Sequence, residues 1–175
     1  MPDFQHISSE SFFNREFASE FYADKTRPIL IGVDLRNPAN IGGLIRLGGN
    51  IGASRIILVN DNQQFNHKKI RHAASNAYNS VETIFALPDQ WKELIPSNYQ
   101  LIAIETATKA TNIYTTKLPK NIAFIVGSEA SGIPNSILAN CFQAVYIPTF
   151  GHTLSLNVVQ AAAIASYEWL RQQSF

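Results

Sequence analysis

Short apolar runs, regularly separated by stretches of helical pattern, constrain this chain more than any other feature. Ile29 to Asp34 reads as a buried strand. Ile56 to Val59, Val81 to Phe85, Leu101 to Ile104, Ile122 to Val126 and Ala144 to Ile147 read as strands too. Each is of strand length and too short for a helix. Between them lie helical stretches at Asn40 to Ile51, 67–77, Pro88 to Leu94 and Asn135 to Asn140, and Ser155 to about Gln172 closes the chain. In the first helix Asn40 is placed to cap, and Ile41, Leu44, Ile45 and Leu47 supply an apolar face. Strands alternating with helices imply an α/β fold, a mostly parallel sheet with helices on both faces.

A chain of 175 residues and 19.4 kDa fits one such domain. At this length roughly 70% of the unfolded surface can be buried. Apolar residues make up 46% and charged residues 15%, which excludes a disordered chain. The net charge of +1 gives no general basic footprint for nucleic acid. Such scarce surface charge fits a chain that hides part of its surface against a partner. The single cysteine, Cys141, can form no internal disulfide and reads as a small core residue. No signal peptide is read, so a reducing, cytoplasmic home is expected. No apolar run is long enough to predict a membrane span.

Residues 1–27 differ from the remainder and are expected to form an N-terminal helical extension, with 28–175 as the main domain. They hold five of the 13 acids, and Phe13, Phe17 and Phe21 recur at helical spacing. Ser11 is a candidate cap for that helix. A docked helix is expected; the alternative is a small substrate-binding arm.

Five of the nine glycines crowd positions 42–52. Glycine inside a helix costs roughly 1 kcal/mol relative to alanine. Repeating that cost implies close approach of another backbone or a ligand. Either a second chain or another helix of this chain should lie on that face. The turn after the first strand contains no glycine, which argues against a dinucleotide fingerprint. A P-loop, a Gly-x-Ser-x-Gly elbow and paired His or Cys metal spacings are absent as well, so no metal is expected.

Three segments remain: Asn37 to Arg46, Ile125 to Pro134, and Ile147 to Asn157. Each follows the C-terminal end of a strand and opens into a helix, where open α/β sheets bind ligands. Arg46 lies off the apolar stripe and must meet a partner, such as phosphate or carboxylate. Gly127 permits close approach of a ligand to the backbone. Glu129 would sit in the crevice and need a partner, with Arg46 or backbone donors as candidates. Ser155 and Asn157 stand at the start of the closing helix; capping would explain one of them, not both.

In order and spacing, these segments resemble the three motifs of the SpoU–TrmH family of RNA 2′-O-methyltransferases, in the SPOUT superfamily. The resemblance runs from about Pro28 to Arg171. It implies an α/β fold with a deep C-terminal trefoil knot, which connection rules would not suggest. It also implies a homodimer and S-adenosylmethionine as methyl donor. By position, Thr106, Gly127, Ile147 and Leu156 correspond to cofactor contacts. Arg46, Glu129, Ser155 and Asn157 match the family's catalytic set, with Asn40 in support. In the family the arginine works across the dimer interface, which would account for the glycine-rich helix. Ser128 stands where many relatives carry Asn.

The reaction implied is methylation of a ribose 2′-hydroxyl in tRNA or rRNA. Arg46, with a neighbouring RNA phosphate, would polarise or deprotonate the hydroxyl; Asn157 and Ser155 would position it, and Glu129 would hold Arg46. The stretch 66–72 gathers three cations and two histidines, so Lys68, Lys69, Arg71 and His72 are candidate RNA contacts. Asn76 follows in a loop that could enter the site. Without residues 1–27 the body carries 11 bases and eight acids, a modest positive excess. The competing readings are an RNA base methyltransferase, a catalytically silent RNA-binding homologue and a small-molecule-binding protein.

Overall fold

The computed structural model describes residues 5–13, 20–62 and 64–174. Seven strands form one sheet: β1 (Ile29–Val33), β2 (Arg55–Val59), β3 (Glu82–Ala86), β4 (Gln100–Ile104), β5 (Thr111–Asn112), β6 (Ile122–Val126) and β7 (Gln143–Tyr146). Their order is β3-β2-β1-β6-β4-β7-β5, and each pairing among the described residues is parallel. The helices are α1 (Ser9–Phe12), α2 (Pro38–Ile51), α3 (His67–Ala74), α4 (Asn135–Leu138) and α5 (Val158–Ser174), with 3-10 turns at Ser75–Asn79, Trp91–Leu94 and Ile113–Thr115.

The central strands β1 and β6 are buried at every position. Side chains of a strand alternate between its two faces. Leu30, Ile56, Ile102 and Phe124 therefore enter one core with α2, α3 and α5. Ile29, Ile31, Ile57 and Ile125 enter a second core under Trp91 and Ile137. Both faces are covered; among the described residues the second carries the short α4 and a 3-10 turn.

Helix α2 begins earlier than its apolar pattern suggests. Asn37, not Asn40, is the N-cap: its side chain accepts from the Ala39 N–H at 2.9 Å, and Pro38 opens the helix. This leaves Asn40 inside the helix and buried. At the other end Gly52 adopts φ 65°, a left-handed stop. The glycine face of α2 meets this chain's own helices. A Cβ on Gly42 would lie 2.6 Å from the Ile70 carbonyl oxygen in α3, and one on Gly43 would touch Val159 of α5 at 3.0 Å. The crowded glycines thus arise from packing within the chain, not from a second subunit on that face.

The closing helix starts at Val158 rather than Ser155. Its far end is fastened to the segment before β6. The Trp169 indole N–H donates to the Pro119 carbonyl at 2.9 Å, and Gln172 both donates to the Thr116 carbonyl and accepts from the Leu118 N–H. Buried Glu168 accepts two bonds from Arg171, at 2.8 and 2.9 Å. The Arg171 hydrogen bond holds the Glu168 carboxyl below the usual glutamate range.

Before β1, the Tyr22 hydroxyl donates to the Ile51 carbonyl and Arg27 stacks on the Tyr22 ring, tying the chain to the end of α2. Ser8, not Ser11, caps α1. Of the three phenylalanines expected on one helical face, Phe17 lies outside the described residues and Phe13 is exposed just past α1. Among the described residues no helix is long and apolar enough to cross a membrane.

Candidate active site

The C-terminal ends of β4, β6 and β7 open together into a cleft of about 240 Å³. All four residues expected at a cofactor, Thr106, Gly127, Ile147 and Leu156, line it, and so do Glu129 and Ser155. Ile104, Leu154 and Val158 make part of the wall apolar. Among the described residues, the charged groups on the lining are Glu105 and Glu129.

The turn after β6 forms one wall. Gly127 is needed there for the turn itself. A Cβ at Gly127 would overlap the Gly132 carbonyl and the Ile133 nitrogen. What comes close is the chain's own backbone, as the turn folds back through the Ser128–Gly132 bridge. The Ser128 and Ser131 hydroxyls bond at 2.7 Å within this turn.

At the mouth of the cleft, residues from all three segments meet. Asn157 is the hub. Its Nδ2 donates to Asn40 Oδ1 at 3.0 Å and to Glu129 Oε1 at 2.9 Å. Its Oδ1 accepts from the Val159 N–H at 2.9 Å, so it also caps α5. One amide thus fixes the helix start and ties together α2, the β6 turn and α5. The Glu129 carboxylate takes its bond from Asn157; the expected bond to Arg46 is not made within the chain. Ser155 lies exposed in the loop before α5.

Arg46 stands apart. It is exposed on α2 and has no hydrogen bond or ion pair among the described residues. Six positions separate it from Asn40, which in an α-helix is about 120° around the axis and about 9 Å along it. The two side chains leave the helix on different faces, and Asn40 faces the Asn157 network.

The cationic cluster sits on α3. Ile70 and Ala74 are buried against α2, which turns Lys68, Lys69, Arg71 and His72 to the exposed side. The Arg71 guanidinium stacks on the Tyr78 ring at 4.9 Å. Asn76 is exposed in the following 3-10 turn. Cys141 is half-buried, and burial pushes its thiol up to about 11, too high for a thiolate nucleophile near neutral pH.

Glu105, at the end of β4, carried no motif signal, yet it braces the cleft. Its Oε1 accepts the Thr106 N–H and its Oε2 accepts the Ile133 N–H, both at 3.0 Å. This joins the β4 end to the β6 turn across 28 residues of sequence.

Parallel strands ending in a cleft, beside a polar hub assembled from separated loops, define an α/β domain with a ligand site at the strand ends. The model of the SpoU rRNA methylase family matches residues 27–167. The chain belongs to that family. A 23S rRNA (guanosine-2′-O-)-methyltransferase of Blochmanniella floridana is 28% identical over 93% of this chain, which spans 65% of that relative's length. The AdoMet-bound rRNA methyltransferase from Sinorhizobium meliloti superposes with a TM-score of 0.76 at 22% identity, covering 88% of this chain and 59% of that one. A structure described as showing 2-OH methylation of C/U34 on tRNA matches with a TM-score of 0.74 at 23% identity, covering 83% of this chain and 95% of that one.

Proposed function

We propose that this chain transfers a methyl group from S-adenosylmethionine to a ribose 2′-hydroxyl of tRNA or rRNA, working in the cytoplasm as a homodimer and without a metal. The observation that carries the reading is the Asn157 hub: side chains from three separated motifs converge within hydrogen-bond distance beside a cleft. The lining fits the methyl donor. Its only charges are carboxylates, which suit a cationic sulfonium and repel a phosphate-bearing ligand. Ile147, Leu154 and Leu156 offer apolar surface for a purine, and Thr106 and Gly127 bring backbone groups to the same wall. When bound, the cofactor supplies an activated methyl group.

The chain's own residues then align the hydroxyl and remove its proton. Asn157 and Ser155 position the ribose at the mouth of the cleft. Glu129 holds the Asn157 amide, which Asn40 steadies from α2. Arg46, with an RNA phosphate beside it, polarises the hydroxyl, whose proton passes to that phosphate or to solvent. As the family resemblance implies, Arg46, which leaves α2 on a different face from Asn40, would serve the site of the partner subunit. Exposed Phe150, Leu154 and Tyr167, on the loop before α5 and on α5 itself, supply apolar surface for such a pairing. Lys68, Lys69, Arg71 and His72 contact RNA phosphates. The C-terminal trefoil knot belongs to the same reading, supported by β7 lying between β4 and β5 and by the return of α5 to α2. Residues 1–27 form an extension outside the methyltransferase domain of 28–175, in keeping with a family match that begins at residue 27.

Labelled methyl transfer from S-adenosylmethionine into tRNA and rRNA, followed by nuclease digestion and mass spectrometry, tests this. The expected product is a 2′-O-methylated nucleotide. Label on a base, or none in either RNA, would overturn the assignment.

A further inference from the structure

We propose that Glu105 is the residue that selects a ribose in the cleft, accepting hydrogen bonds from the vicinal 2′- and 3′-hydroxyls of the bound nucleoside. The inference rests on the reading of the cleft as a nucleoside-cofactor site and adds the group that recognises its sugar. Glu105 sits at the C-terminal end of β4, between β6 and β7 in the sheet, and lines the cleft directly. Each carboxylate oxygen already accepts one backbone N–H, from Thr106 and from Ile133 at 3.0 Å. The Thr106 hydroxyl adds only a long contact of 3.4 Å. A carboxylate offers about four acceptor sites, so each oxygen keeps capacity for a further donor. No cation pairs with Glu105 among the described residues. Its charge is held by neutral amides and remains available to a ligand.

The surrounding chain preserves this geometry. Gly132 has φ 65°, and a Cβ there would lie 2.7 Å from Glu105 Oε2. Glycine at 132 therefore satisfies the turn and leaves room for the carboxylate. Two oxygens held side by side present a bidentate acceptor, which suits two adjacent hydroxyls. A carboxylate at a strand end performs this task toward ribose in other α/β folds. The second carboxylate of the cleft, Glu129, accepts from Asn157 at 2.9 Å and belongs to the hub at the mouth, whereas Glu105 stands at the strand end.

Titration calorimetry on the full chain tests the inference without reference to turnover. The probes are S-adenosylhomocysteine, its 2′,3′-dideoxy analogue, adenosine and 2′,3′-dideoxyadenosine. The wild type should bind each diol form about 10- to 100-fold more tightly than its dideoxy form, as expected for hydrogen bonds to a charged group. Glu105→Gln should lose most of that preference, and its loss of affinity for the dideoxy ligands, from the one backbone N–H its amide cannot accept, should be much the smaller. Glu105→Asp, which keeps the charge on a shorter arm, should retain an intermediate preference. Equal weakening of diol and dideoxy ligands would mean that Glu105 only braces the loops, and unchanged binding would mean that it does neither; either result overturns the proposal. A wild type that discriminates the adenosine pair but ignores S-adenosylhomocysteine would instead contradict the methyl-donor reading and leave the diol assignment standing.

Discussion

Asn40 and Arg46 stand on one helix, six residues apart, in opposite circumstances. Asn40 is buried and hydrogen-bonded to Asn157, which in turn holds Glu129. Arg46 is exposed and meets no partner among the described residues. The difference separates two kinds of functional residue. The Asn40–Asn157–Glu129 group is built by folding, because each member also fastens an element of the fold. Arg46 contributes nothing to the fold, so its place off the apolar stripe of α2 is explained by what binds there. The first group sets the geometry of the cleft mouth in advance, and we propose that the second completes the site from another molecule.

The sharpest way to break this contrast is to remove each member in turn. Arg46→Ala should lower methyl transfer at least ~100-fold, as loss of a charge-stabilising donor does. S-adenosylhomocysteine affinity by calorimetry and the melting temperature should stay at wild-type values. Asn157→Ala should lower transfer and also cost about 1 kcal/mol of stability, because the α5 cap goes with it. In a domain of this size that is a fall of roughly 2–4 °C in melting temperature. Arg46→Ala melting lower than Asn157→Ala would reverse the contrast.

Gly42→Ala sharpens the structural side. Its new methyl would press on the Ile70 carbonyl and Ala73 of α3, at about 1–3 kcal/mol for an overpacked contact. Denaturant unfolding should show this loss in dilute and concentrated protein alike. A loss that depends on concentration would return that face to the subunit interface.

Smallest is the acid response of α5. The folded carboxyl of Glu168 is held below its unfolded value, chiefly by the bond from Arg171. Its contribution to stability is therefore present above the ordinary glutamate range and lost as pH falls through the lowered folded value. Glu168→Gln should melt with a weaker dependence on acid than the wild type. Identical profiles of melting temperature against pH would show that the ion pair adds nothing.

Much of this was readable from the residues. Strands buried on both faces, such as Ile122–Val126, are apolar throughout and stand out in a single chain. Local signals misled at the helix starts. Asn40 looked like a cap, but Pro38 at the first helical turn marks Asn37 as the true one. Capping was expected to explain one of Ser155 and Asn157, and Asn157 is the one that caps. Strand β5, Thr111–Asn112, has no pattern of its own and exists only by pairing with β7. Glu105 was silent for a related reason: its second partner, Ile133, is brought to it by the fold. The glycines of α2 announced a close approach without saying whose. Packing against α3 and α5 answers that for Gly42 and Gly43.

We propose that Arg46 from a second copy of the chain completes the site. Mixing the Arg46→Ala and Asn157→Ala chains, each inactive alone, and letting them exchange subunits tests it directly. In a two-fold dimer with the arginine working across the interface, half the dimers are mixed and each mixed dimer regains one intact site. The account predicts recovery of about a quarter of wild-type methyl transfer. If the mixture exchanges subunits and stays as inactive as its parts, Arg46 acts within its own chain and the account is wrong.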